Sequence, residues 1–152
     1  MKILLLRFSS IGDIVLTTPV ARCLHEQLGV EVHYLTKEAF APILTANPHI
    51  QRVFSFQKEV TEVLPDLKME RYDWVIDLHR NLRSFRVKRV LGRPTRSFQK
   101  LNFEKWLLVN FKIDRLPNVH IVERYLETVA QLGIRDDGKG LDYYIPPEAE
   151  TA

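Results

Sequence analysis

One short run in this sequence could bring a carboxylate to a bound hydroxyl group. Ser9, Ser10, Ile11, Gly12 and Asp13 make a turn between an apolar run and a stretch of helical spacing. A helix start carries free backbone N–H groups and the positive end of the helix dipole. Both favour the ionised form of Asp13, which could then accept a proton from a hydroxyl. The base rate opposes this reading, because an aspartate at a helix start is usually only a cap. Ser9 and Ser10 are turn formers first, and hydroxyl or phosphate contacts second. Gly12 is the only glycine of the turn, so it is neither a G-x-G-x-x-G fingerprint nor a P-loop.

A second constellation begins at Asp77-Leu78-His79-Arg80-Asn81-Leu82-Arg83-Ser84. Residues 78–103 hold eight basic and no acidic side chains, although the whole chain carries only +3. Arg80, Arg83 and Arg86 are spaced by three and share roughly one helical face. Arginine forks suit phosphate and carboxylate oxygens. A solvated face, a site for an anionic small molecule or lipid headgroup, and a nucleic-acid surface all fit such a run. Nucleic acid ranks last, since no RNP, zinc-finger or helix-turn-helix pattern accompanies the charge. Farther on, His120, Glu123 and Arg124 fall at i, i+3 and i+4 and share a face. Without an H-E-x-x-H pattern, a salt-bridged helix surface is the default and no metal site is expected.

These residues need a frame. The chain has 152 residues, 45% hydrophobic and 27% charged, which is one domain's length with enough apolar material for a core. The single cysteine, Cys23, excludes an intramolecular disulfide framework and reads as core. No apolar run is long enough to span a membrane, and Arg7 interrupts the first one too early for a secretory h-region, so a cytoplasmic protein is expected. Apolar runs at 2–8, 31–36, 50–56 and 73–78 read as strands, with a short one at 94–98. Helices are expected at 13–28, kinked at Pro19, and at 37–46, 59–69, 81–91, 103–111 and 119–132. Alternation of this kind specifies an α/β, Rossmann-like, doubly wound and mostly parallel sheet. Ligands of such sheets bind beyond the carboxyl ends of the strands, where both constellations fall.

Three segments together carry a family resemblance. Arg7-Phe8-Ser9-Ser10-Ile11-Gly12-Asp13-Ile14, with Thr18-Pro19 after it, resembles the opening of the ADP-heptose:lipopolysaccharide heptosyltransferases of glycosyltransferase family nine. Asp77 to Ser84 is similar to that family's D-x-x-G-x-x-[RK]-S segment, with Asn81, preceded by Arg80, standing for the glycine. His120-Ile121-Val122-Glu123-Arg124-Tyr125 is similar to its H-x-V-E-R-Y segment. The resemblance implies the N-terminal half of a GT-B enzyme. Such an enzyme moves heptose from ADP-heptose to a hydroxyl of the lipopolysaccharide inner core, with inversion and without a metal or cofactor. It implies Asp13 as general base. Ser9, Ser10, Gly12, Arg80, Arg83, His120 and Arg124 are implied as substrate contacts; Arg86 and Arg89 extend the set on charge alone.

On this reading residues 1–145 form the acceptor-binding domain and 146–152 begin an interdomain linker. The nucleotide-sugar domain, which would hold most of the donor, is absent, so the chain alone is expected to have little transferase activity. Its partners would be the inner-core acceptor, the donor and, peripherally, the inner face of the inner membrane, with no nucleic acid. The alternative is a Rossmann-like module that binds a nucleotide or another anionic partner and catalyses nothing.

Overall fold

The computed structural model describes residues 1–97, 122, 125–135 and 137–139. Its elements follow in the order β1 (Lys2–Leu6), α1 (Ile11–Leu16), α2 (Thr18–Leu28), β2 (Glu31–Lys37), α3 (Ala41–Thr45), β3 (Arg52–Phe56), α4 (Leu64–Glu70), β4 (Trp74–Asp77), α5 (Leu82–Leu91) and β5 (Thr95–Ser97). The strands form one parallel sheet in the order β3-β2-β1-β4-β5. This is the expected Rossmann-like α/β sheet.

The apolar run of β1 explains its central place. Successive strand side chains point to opposite faces. Ile3 and Leu5 accordingly enter one core layer, with Val20, Ala21, Cys23 and Leu24 of α2. Leu4 and Leu6 enter the other, with Leu67 of α4 and Val87 and Leu91 of α5. A strand covered on both faces has no use for polar alternation. Cys23 is buried in the first layer, and burial pushes its thiol above the ordinary range, which suits a core residue rather than a nucleophile.

The expected helix at 13–28 is in fact two helices, and Pro19 kinks neither. Thr17 breaks the run: its hydroxyl donates to the Ile14 carbonyl at 2.6 Å and shares a 2.6 Å hydrogen bond with the buried Tyr34 hydroxyl. Pro19 then sits in the first turn of α2, where its missing N–H has no partner to lose. Pro65 does the same for α4. The expected helix at 37–46 opens as a 3-10 turn, Glu38–Phe40, and becomes α-helical only at Ala41. Val122 and residues 125–129 are helical as expected, and Gly133, at φ 87°, closes that stretch. The expected helix at 103–111 and the polar tail from 142 lie outside the described residues.

A polar latch fastens the segment after Gly133 to α2. Arg22 is buried, and its Nε and Nη2 each donate to Asp137 at 2.8 Å. Gln27 exchanges hydrogen bonds with the Arg135 backbone, and Lys139 reaches Glu26 at 3.4 Å. The Arg22 guanidinium holds the Asp137 carboxyl far below the usual carboxylate range. A depressed folded-state pKa gives stability that is present above the unfolded value of about 4 and lost as pH falls toward the folded one. Asp137→Ala is therefore expected to cost about 2–3 kcal/mol at neutral pH. Urea midpoints should show the gap between the two proteins closing below about pH 4.

Candidate active site at the carboxyl edge of the sheet

In the strand order β3-β2-β1-β4-β5 the chain winds outward from β1 on one side, then returns to its other side as β4. This reversal of winding falls beyond the carboxyl ends of β1 and β4, the usual ligand position in open α/β sheets. Residues 7–10 leave β1 there and residues 78–81 leave β4.

The two loops are tied to each other. Leu78 N–H donates to the Leu6 carbonyl at 3.0 Å, and Arg7 Nη1 donates to the Leu78 carbonyl at 3.2 Å. Phe8 N–H donates to His79 Nδ1 at 3.2 Å, and the two rings stack with centroids 5.0 Å apart.

Asp13 stands on the first turn of α1, where the sequence places it, with its side chain 40% exposed. Its Oδ2 accepts from Ser10 Oγ at 2.9 Å and, weakly, from Ser10 N–H at 3.4 Å. The same oxygen meets Arg7 Nη2 at 3.0 Å. The expectation of several helix-end amides around this carboxylate needs correcting. The Ser10 hydroxyl, one backbone amide and one guanidinium orient it, because Asp13 is the third residue of α1 and turns back onto its own cap. Arg7 is the residue the sequence reading passed over, having taken it as the charge that ends an apolar run. Ser10 is exposed and Ser9 half-buried. A Cβ built on Gly12 would meet no atom within 4 Å, so the packing described here gives no reason for a glycine there.

Beneath the site, Tyr125 of the H-x-V-E-R-Y segment is buried. Burial pushes its phenol upward, against the nearby Arg7 and with the nearby Asp13. His120 and Arg124 of the same segment lie outside the described residues.

The β4 loop is built around Asp77, which is fully buried. Its Oδ1 accepts the N–H groups of His79 at 3.0 Å and Arg80 at 2.7 Å, and its Oδ2 pairs with Lys88 Nζ at 2.9 Å. Lys88 also donates to Ser97 Oγ at 3.0 Å, joining α5 to β5. Asn81 and Ser84 cap α5 reciprocally: Asn81 Oδ1 accepts Ser84 N–H at 2.8 Å, and Ser84 Oγ accepts Asn81 N–H at 2.9 Å. Ser84 is thus a buried structural residue.

The glycine position of the D-x-x-G-x-x-[RK]-S segment is Arg80, not Asn81. Asn81 is extended, at φ −132°, as an N-cap must be. Arg80 holds φ 59°, the left-handed region that glycine enters freely and other residues enter at a cost of about 1–2 kcal/mol. An exposed arginine is thereby presented at the carboxyl edge of the sheet, with the half-buried Arg83 in the first turn of α5. Arg86 and Arg89, added on charge alone, lie farther along the outward face of that helix.

Among the described residues one group has metal-ligand types in reach of one another: Glu31, His33 and Glu70. It includes the first residue of β2, at the opposite edge of the sheet. Lys2 at 2.9 Å and Arg52 at 2.7 Å already occupy the Glu70 carboxylate, and Lys2 above all holds it below the usual range. The buried His33 bonds Tyr72 at 2.8 Å and Glu31 at 2.5 Å. This is a network of partnered charges.

No protein-family model matches the chain. A curated relative, lipopolysaccharide heptosyltransferase 1 of Campylobacter coli, is 26% identical over 136 residues, which is 83% of this chain and 40% of the relative. The chain is heptosyltransferase-like. Solved structures give this heptosyltransferase-like chain the same fold. A glycosyl transferase family 9 protein from Veillonella parvula superposes with a TM-score of 0.72 at 24% identity, covering 97% of this chain and 45% of that one. E. coli heptosyltransferase WaaC with ADP gives 0.69 at 21% identity, covering 93% of this chain and 50% of that one. The chain thus spans about half the length of the proteins it matches.

Proposed function

We propose that this chain forms the acceptor-binding and catalytic-base half of an inverting glycosyltransferase that moves heptose from ADP-heptose to the lipopolysaccharide inner core. The observation that carries the reading is the Asp13 carboxylate, half-exposed at the carboxyl edge and oriented by Ser10 and Arg7. In the reaction, the acceptor hydroxyl oxygen bonds to the anomeric carbon of the heptose. The bond from that carbon to the phosphate oxygen breaks, and ADP leaves with the electron pair. The hydroxyl proton passes to Asp13. Ser9, Ser10 and Gly12 line the approach, and Arg80 and Arg83 hold anionic groups of the acceptor. Arg124 and His120 join this set through the motif they occupy. On this reading most donor contacts belong to a second domain; a neighbour of which this chain covers 50% was solved with ADP. The reading includes a place at the cytoplasmic face of the inner membrane. Among the described residues no helix is long and apolar enough to cross a membrane.

Calorimetric titration of the chain with acidic inner-core fragments tests the acceptor half. Binding is expected, and Arg80→Ala or Arg83→Ala should weaken it by roughly tenfold or more, the worth of a charge-assisted hydrogen bond. Unchanged affinity in both variants would overturn the assignment. Retention of free nucleotide, with no hold on the sugar fragments, would favour the non-catalytic binding module.

A further inference from the structure

We infer that the outward face of α5 is a docking surface for an anionic lipid bilayer. The helix turns Ser84, Val87 and Leu91 inward and leaves three apolar side chains in water: Leu82 at 87% exposure, Phe85 at 56%, and Val90. Single exposed apolar residues are ordinary on a soluble surface. These three alternate with the exposed Arg86 and Arg89 on one face, within the 78–103 stretch that has no acidic residue. Glu59 approaches Arg86 at 3.9 Å, but both are exposed and such pairs are weak.

An interfacial helix needs this mixture. Its apolar side chains enter the headgroup boundary while arginine stems lie along the apolar surface and their heads meet lipid phosphates. A surface cleft lined by Phe85, Lys88, Arg89, Arg93 and Thr95 adjoins the face, and its Arg89 and Arg93 offer cations to a headgroup. A nucleic-acid surface would use several aromatic platforms for bases, whereas Phe85 stands between the aliphatic Leu82 and Val90 as the one aromatic of α5. The helix starts directly after the 78–81 loop, so a docked α5 holds the carboxyl edge of the sheet beside the bilayer. That orientation rests on the acceptor reading above; the docking itself does not.

Sedimentation of the chain with vesicles tests the inference. The chain should pellet with phosphatidylglycerol–phosphatidylcholine vesicles and stay in solution with phosphatidylcholine alone. Added salt should release it. Arg86→Gln and Arg89→Gln should each reduce partitioning about fivefold, and Leu82→Ser with Phe85→Ser should reduce it without altering the salt dependence. Equal partitioning onto both vesicles, unchanged binding by all three variants, or a preference for DNA or RNA would overturn the proposal. Lost vesicle binding with retained inner-core fragment binding would defeat the docking alone, and the converse would defeat the acceptor reading alone.

Discussion

Asp13→Asn, placed in an enzyme that joins this half to a donor-binding half, is expected to lower kcat by roughly 10²–10⁴-fold. The substitution keeps the side chain's shape and an oxygen for Ser10 but removes the proton acceptor. Acceptor KM should move little, because the arginines proposed to hold the acceptor are on the other loop. Arg7 supplies a second arm of the test. Its guanidinium fixes one carboxylate oxygen at 3.0 Å and is anchored on the Leu78 carbonyl. Arg7→Ala should therefore also lower kcat, by loosening the position of the base. Steady-state kinetics of the two variants decide the matter. An unchanged kcat in Asp13→Asn would leave that aspartate as a helix cap and nothing more.

The second large effect is on stability. Asp77→Ala is expected to cost about 3–5 kcal/mol, the range for breaking a buried ion pair by removing one partner. The fully buried carboxylate serves the amides of His79 and Arg80 and the ammonium of Lys88 together. Its loss leaves Lys88, mostly shielded from water, facing Ser97 without a counter-charge. Asp77→Asn should cost less, since it retains an acceptor for the two amides. A double cycle with Lys88→Met isolates the charge pair: Asp77→Asn combined with Lys88→Met should be more stable than the sum of the two single losses implies. Urea denaturation of the four proteins reads this directly. If Asp77→Ala unfolds at the wild-type midpoint, the aspartate of this segment does not hold the loop.

The fold was legible where one physical cause dominates. A continuous apolar run at Ile3–Leu6 has few solutions other than a strand covered on both faces, and the alternation of such runs with helical spacing implies the parallel sheet. Boundaries failed where proline was read for one of its two effects. Pro19, expected to kink a helix, starts one instead, and choosing between these effects requires knowing where the preceding turn ends. At Thr17 that end depends on a hydrogen bond to Tyr34, seventeen residues away.

The site divides in the same way. The place of Asp13 at a helix start was legible because its turn is local. Arg7's part was not: its ion pair with Asp13 is short in sequence, but the anchor that aims its guanidinium, the Leu78 carbonyl, lies on the loop after β4. The left-handed backbone of Arg80 was hidden too, because arginine gives no sign of positive φ. The available signal was the spacing from Asp77, which places the motif's glycine at that residue.

The anchoring of the two loops on one another bears on how specificity here can change. Phe8 relies on the imidazole of residue 79 for its amide partner and for a stacked ring, and Arg7 relies on the backbone of residue 78. A substitution at 79 is therefore felt at the turn that carries Asp13. Both loops inherit each other's alterations, so a lineage or an engineer seeking to change what this edge of the sheet binds must revise them as a pair.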